Sequence, residues 1–190
     1  MPMNYVHRKL CSSEFWARKI GEVLPEFLDG FDLGDEVLEI GPGFGATTNV
    51  LLKRVPSLTV VEIDDASARL LRNRYGDRAE VVHGSGAEMP FEDGRFSAVV
   101  CFTMLHHVPT VELQDAIFAE AARVLRPGGL FRGTDSQLSL PFRLLHLGDT
   151  MNVVDAGTLP GRLRAAGFAE EQVRHVPKEY VEFCAVKPAA

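Results

Sequence analysis

Glycine at every second position, between an apolar run and a helix start, constrains this chain more than any other feature. The stretch reads Val37-Leu38-Glu39-Ile40-Gly41-Pro42-Gly43-Phe44-Gly45-Ala46-Thr47-Thr48. Without a Cβ the backbone turns sharply and lets a ligand touch the main chain. The first N–H groups of the following helix lack partners inside it and face that ligand. The pattern is that of a loop for a nucleotide-like cofactor. The acid two residues before the first glycine, Glu39, decides which cofactor.

Around the loop, strand-like and helix-like runs alternate. Strands are expected over 36–40, 58–63, 80–83, 96–102, 130–134, 168–176 and 180–186. Helices are expected over 46–54, 66–75, 111–125 and 158–166, after an N-terminal helix from Ser12 or Ser13 to about Leu28. Such alternation gives an α/β fold, a mostly parallel sheet with helices on both faces. Arg126-Pro127-Gly128-Gly129 reads as a helix stop. The 190 residues suit one domain with a sizeable core.

In an open sheet of this kind the ligand lies at the carboxyl ends of the strands. Those tips carry Glu39 and the glycines, Glu62, the run His83-Gly84-Ser85-Gly86-Ala87, the run Phe102-Thr103-Met104-Leu105-His106-His107, and Thr134-Asp135. Glu62 follows Gly41 by about 20 residues, the spacing at which a carboxylate accepts from ribose hydroxyls. Gly41-x-Gly43-x-x-Ala46 also fits a dinucleotide fingerprint. The loop, however, holds no Lys or Arg for a pyrophosphate, and the Glu39 charge repels one. A cationic nucleoside without phosphate suits it better, and S-adenosylmethionine is such a molecule.

Five segments in order carry a resemblance. They are Glu39-Ile40-Gly41-Pro42-Gly43-Phe44-Gly45, Val60-Val61-Glu62-Ile63, Gly84-Ser85-Gly86-Ala87-Glu88-Met89-Pro90-Phe91 followed by Phe96-Ser97-Ala98-Val99-Val100, Leu105-His106-His107, and Leu125-Arg126-Pro127-Gly128-Gly129. On these the chain resembles the class I S-adenosylmethionine-dependent methyltransferases, in the branch of small-molecule and quinone-type enzymes. The likeness is strong over about 35–135 and architectural elsewhere. It implies a doubly wound, mostly parallel seven-stranded sheet with the last strand antiparallel. It also implies one methyltransferase domain over 1–190. Residues 1–34 would form a helical cap, 35–135 the cofactor core, and 136–190 a substrate-side segment with the C-terminal strands.

The resemblance further implies that Glu39 and the backbone around Gly41, Pro42 and Gly43 hold the methionine part. Glu62 would bind ribose, Ile63 would pack on adenine, and Ser85, Gly86 and Ala87 would line the adenine edge. Phe102 and Thr103 would complete the cofactor site. Ser85 stands where the family usually carries Asp, so adenine recognition would be either somewhat weaker or shifted to Glu88. Ser97 replaces another Asp and reads as structural. The product would be S-adenosylhomocysteine.

His107 is the candidate general base, because imidazole titrates near neutral pH; His106 is the weaker alternative, and either could simply pack. Asp135 and His146 are candidates for the acceptor side. His7, His83 and His175 read as scattered and ordinary. No spacing such as H-E-x-x-H appears, so no metal is expected. Tyr5, Phe15 and Trp16 could form a lid or merely cover the sheet. The formal net charge of −6 and the small C-terminal region favour a small-molecule acceptor over nucleic acid. No run nears the about 20 apolar residues of a membrane span, and three widely spaced cysteines suit a reduced, cytoplasmic protein. The sequence leaves the oligomeric state open. Rival readings are a non-catalytic or regulatory protein of the same fold, another transfer reaction with the same cofactor, and an NAD-type oxidoreductase.

Overall fold

A computed structural model describes residues 3–189. The elements in chain order are α1 (Tyr5–Cys11), α2 (Glu14–Leu28), β1 (Glu36–Ile40), α3 (Ala46–Leu51), β2 (Ser57–Glu62), α4 (Asp65–Tyr75), β3 (Glu80–His83) and β4 (Phe96–Phe102). A 3-10 turn (Leu105–His107) follows, then α5 (Val111–Val124), β5 (Leu125–Ser136), α6 (Leu140–Leu145), α7 (Leu159–Ala165), β6 (Glu170–Val176) and β7 (Tyr180–Val186). The seven strands form one sheet in the order β3-β2-β1-β4-β5-β7-β6. β1 to β5 run parallel, and β7 is antiparallel to both its neighbours. The sheet is thus doubly wound with one reversed strand, as the resemblance implies.

Two apolar layers sandwich the sheet because strand residues alternate between faces. Leu38, Ile40, Val99 and Cys101 pack with α5 and α7 on one side. Val37, Val60, Ala98 and Val100 pack with α2 and residues of α3 and α4 on the other. Helix starts are capped as their sequences imply: Ser13, Asp64 and Thr110 accept from the backbone N–H of Trp16, Ser67 and Leu113. Pro25 lies inside α2. Ser97 is structural, since its hydroxyl accepts from the Glu36 N–H and donates to the Leu33 carbonyl.

The structure corrects several boundaries. α1 and α6 are helices the sequence pattern did not suggest. Each is short, and each starts on a side-chain cap, Asn4 or Ser139. α3 ends at Leu51 rather than 54. β5 starts at Leu125, not 130, because Leu125 pairs with Phe96 before the register shifts across Pro127-Gly128-Gly129. Proline and glycine there mark an irregularity inside a ladder rather than its end. Among the described residues no helix is long and apolar enough to cross a membrane. Cys11, Cys101 and Cys184 are free thiols.

Candidate active site

The glycine loop leaves β1 with the Gly41 N–H donating to the Val61 carbonyl at 2.9 Å. Gly43 has φ +56°, and a Cβ built on it would meet nothing within 4 Å. The space beyond that missing Cβ belongs to a cavity of about 540 Å³, within the range of small-molecule sites. Gly45 (φ +81°) is required for packing, since a Cβ there would come within 2.7 Å of the Tyr75 ring. That ring also donates from its hydroxyl to the Gly45 carbonyl at 3.1 Å.

Glu62 closes the loop from the next strand. Its Oε2 accepts from the Gly43 N–H at 2.9 Å and its Oε1 from the Asp64 N–H at 2.8 Å. Both oxygens keep a further lone pair. The cavity wall continues through Ile63 and Asp64, and across the cavity through Phe102, Thr103, Met104 and His107. Thr103 has φ +50°, a conformation that costs a non-glycine residue about 1–3 kcal/mol and clusters at functional sites.

Of the residues singled out from sequence, Gly41, Pro42, Gly43, Glu62, Ile63, Phe102, Thr103 and His107 line this one cavity. Glu39 lies beneath it, 1% exposed. The Thr47 hydroxyl donates to one Glu39 oxygen, and the Thr48 hydroxyl donates to the other at 2.7 Å. Burial pushes its carboxyl up to about 7, against these two hydrogen bonds and with help from the Glu62 charge. Ser85, Gly86 and Ala87 do not reach the cavity wall. They form a tight turn in which the Ser85 hydroxyl accepts from the Ala87 N–H at 3.1 Å.

The N-terminal helices supply Arg8, Cys11 and Trp16 to the wall. Arg8 sits over the Phe44 ring of the loop, 5.8 Å from its centroid. Trp16 lines the cavity, whereas Tyr5 and Phe15 are 74% and 63% exposed. Arg8 and Cys11 went unnoticed in the sequence, because α1 itself carried no periodic signal.

Asp135 does not face the cavity. It is fully buried and accepts from the His106 N–H at 3.0 Å and the Ser136 N–H at 2.7 Å; its Oδ1 lies 2.5 Å from His106 Nδ1. His146 is 3% exposed, with its Nδ1 2.8 Å from the Phe142 carbonyl. His7 is not the ordinary surface residue its sequence context suggested. It is 4% exposed, and its Nδ1 lies 2.8 Å from Asp149 Oδ2. Its ring centroid is 4.3 Å from that of His146 and 5.1 Å from that of His107. Burial first, then the imidazoles of His106, His7 and His146, push the His107 pKa down to about 2.

The model of the methyltransferase domain family matches residues 38–132. A probable S-adenosylmethionine-dependent methyltransferase of Mycolicibacterium smegmatis is 30% identical, over 87% of this chain and 69% of that protein. A fatty-acid O-methyltransferase of the same organism is 30% identical over 82% and 69%. A ribosomal RNA small subunit methyltransferase A of Cupriavidus taiwanensis is 46% identical, but over only 31% of this chain and 21% of that protein. A crystal structure of a protein from Pyrococcus horikoshii shares the fold, with a TM-score of 0.81 at 17% identity over 96% and 98% of the two chains. The chain belongs to the class I S-adenosylmethionine-dependent methyltransferase family. Its cofactor is S-adenosylmethionine, and the open space beyond Gly43 fits a ligand held against the main chain.

Proposed function

We propose that this domain transfers a methyl group from S-adenosylmethionine to a small-molecule acceptor. One observation carries the reading. The glycine loop, Glu62 and the β4 tip share a single cavity that His107 also lines. When bound, the cofactor supplies a methyl carbon on a sulfonium; the acceptor's lone pair forms the new bond as the carbon–sulfur pair returns to sulfur.

In this reading the backbone of Gly41, Pro42 and Gly43 holds the methionine part, and Glu39 favours its positive charge from beneath the loop. Glu62 accepts from the ribose hydroxyls, and the exposed face of Ile63 receives adenine. Ser85, Gly86 and Ala87, which stand outside the cavity wall here, are assigned to the adenine end. Phe102 and Thr103 hold the cofactor opposite the loop. His107, kept neutral by its surroundings, is assigned to the acceptor side as a residue that shapes the pocket, with Asp135 and His146 behind it. Rate then comes chiefly from holding acceptor and methyl in line.

The small-molecule assignment is supported by the fatty-acid O-methyltransferase relative and by the net charge of −6. The ribosomal RNA enzyme matches too little of the chain to outweigh them. A cytoplasmic setting is part of the same proposal, supported by three free thiols. So is the division into a cap over 1–34, a core over 35–135 and a substrate-side segment over 136–190.

Calorimetric titration with S-adenosylhomocysteine tests the site. Glu62→Ala removes a charged acceptor worth about 1.5–3 kcal/mol, so affinity is expected to fall about 10- to 100-fold. An unchanged dissociation constant in the folded variant would remove Glu62 from the cofactor site.

A further inference from the structure

Four imidazoles meet beside the cavity, which one of them, His107, lines: His7 from α1, His106 and His107 from the 3-10 turn, and His146 at the end of α6. The ring centroids of His107 and of His146 each lie 4.1–5.4 Å from those of the other three. One ring nitrogen from each of His7, His107 and His146 lies within 4.8 Å of the other two. The Nε2 atoms of His146 and His106 are buried and have no hydrogen-bond partner. A buried unpaired polar atom is costly, and native structures rarely keep one without use.

We propose that His7, His107 and His146 bind one divalent transition-metal ion of the zinc class, with the fourth coordination position open toward the cofactor cavity. The far nitrogens of two ligands are already engaged. Asp149 holds His7 Nδ1, and the Phe142 carbonyl holds His146 Nδ1. Such outer contacts fix the tautomer and aim the free Nε2 inward, and they are the common company of metal-ligating histidines. Asp149 is itself positioned, because it accepts from the Asn4 backbone N–H at 2.5 Å and from the Asn4 side-chain amide at 3.3 Å.

The donor set selects the ion. Neutral imidazoles suit zinc, cobalt, nickel or copper, whereas magnesium and calcium want oxygen. Zinc–nitrogen bonds of about 2.0–2.1 Å put tetrahedral nitrogens roughly 3.3 Å apart, so binding draws the three rings together by small side-chain rotations. Three histidines with one open position is also a ligand set of catalytic zinc rather than closed structural sites. His107 is the only one of the three that lines the cavity, so the open position lies on its side. The ion would also clamp α1 onto the end of α6, where Asn4 already donates to the Leu145 carbonyl at 2.7 Å.

The test uses the full chain, stripped with a chelator and titrated calorimetrically with Zn²⁺ without cofactor or acceptor. One ion per chain is expected. His107→Gln and His146→Gln should each weaken binding at least about 100-fold, and Asp149→Asn about 10- to 100-fold. His83→Gln and His175→Gln, outside the cluster, should leave it unchanged. Should the cluster variants fail to fold, X-ray absorption on the zinc-loaded wild type decides, with three imidazole nitrogens expected at about 2.0–2.1 Å. Absence of stoichiometric binding, binding that survives His107→Gln with His146→Gln, or a shell without imidazole would each overturn the site. None of these readouts needs methyl transfer, so this proposal and the cofactor reading fail separately.

Discussion

Glu39 is a carboxylate poised at neutrality by its surroundings. Its folded-state pKa of about 7 lies above the ordinary 4.5, chiefly because it is buried. A cation arriving above the loop favours the ionised form, so cofactor binding should release a proton when Glu39 starts protonated. Affinity for S-adenosylmethionine is therefore expected to rise as pH increases through about 7. Glu39→Gln should flatten that dependence; an equally steep curve in the variant would place the titration elsewhere. The same shift acts on stability with the opposite sense. The folded state binds the proton more tightly, so this group's contribution is full below pH 4.5 and is lost as pH rises through about 7. Gly43 is the second residue whose chemistry is local. Its positive φ and the open space beyond its Cα both forbid a branched side chain once a ligand is present. Gly43→Val should abolish binding of S-adenosylhomocysteine while far-ultraviolet dichroism stays near native. Normal binding would show that the loop is not the cradle.

At the scale of elements, the Asn4 side chain joins the start of α1 to the end of α6. Asn4 Oδ1 accepts from the His7 N–H at the start of α1, while its amide reaches the end of α6. Seven residues make a poor helix in isolation, so α1 depends on this cap and on docking. Asn4→Ala removes a cap worth about 0.5–2 kcal/mol. Amide exchange in α1 should quicken about tenfold while that in β1 and β4 is unchanged, as hydrogen-exchange mass spectrometry can measure. Uniform acceleration would mean that α1 unfolds only with the whole domain. α2 is anchored differently. The Arg132 guanidinium, carried by β5, donates to the Phe27 carbonyl at 2.6 Å and lies 3.9 and 3.6 Å from the Phe27 and Phe31 ring centroids. It thereby ties the end of α2 to β5.

For the whole molecule, the C-terminal strands must dock on the parallel core, and aromatic packing does this. Phe131 on β5 is fully buried, with ring centroids of Phe183, Phe168 and Phe118 at 5.0, 5.5 and 5.9 Å. It therefore joins β7, the segment after α7, and α5. Phe131→Ala should cost about 3–5 kcal/mol, a large part of the about 5–15 kcal/mol that holds a domain together. Urea unfolding should show a lower midpoint with an unchanged slope. A loss under about 1 kcal/mol would mean that the two parts of the sheet are held by their backbone ladder alone.

The sequence by itself determined the parts whose causes are local. Short apolar runs fix β1, β3, β4 and β7 to the residue, and glycine spacing before a helix fixes the loop. Glu62 was legible because strand length and crossover length together set where an acid meets that loop. Ser97 was legible as structural because it sits at a strand entrance away from the tips. α1 and α6 were not legible, being too short for periodicity to speak, and β5 was cut short because glycine and proline were taken at their usual local meaning. The histidine cluster was beyond reach for a different reason. His7, His107 and His146 lie on three elements far apart in sequence, and no short spacing records that they touch. Only the docking of α1 and α6 over the β4 tip brings those side chains together, and it sets Asp149 against the His7 ring.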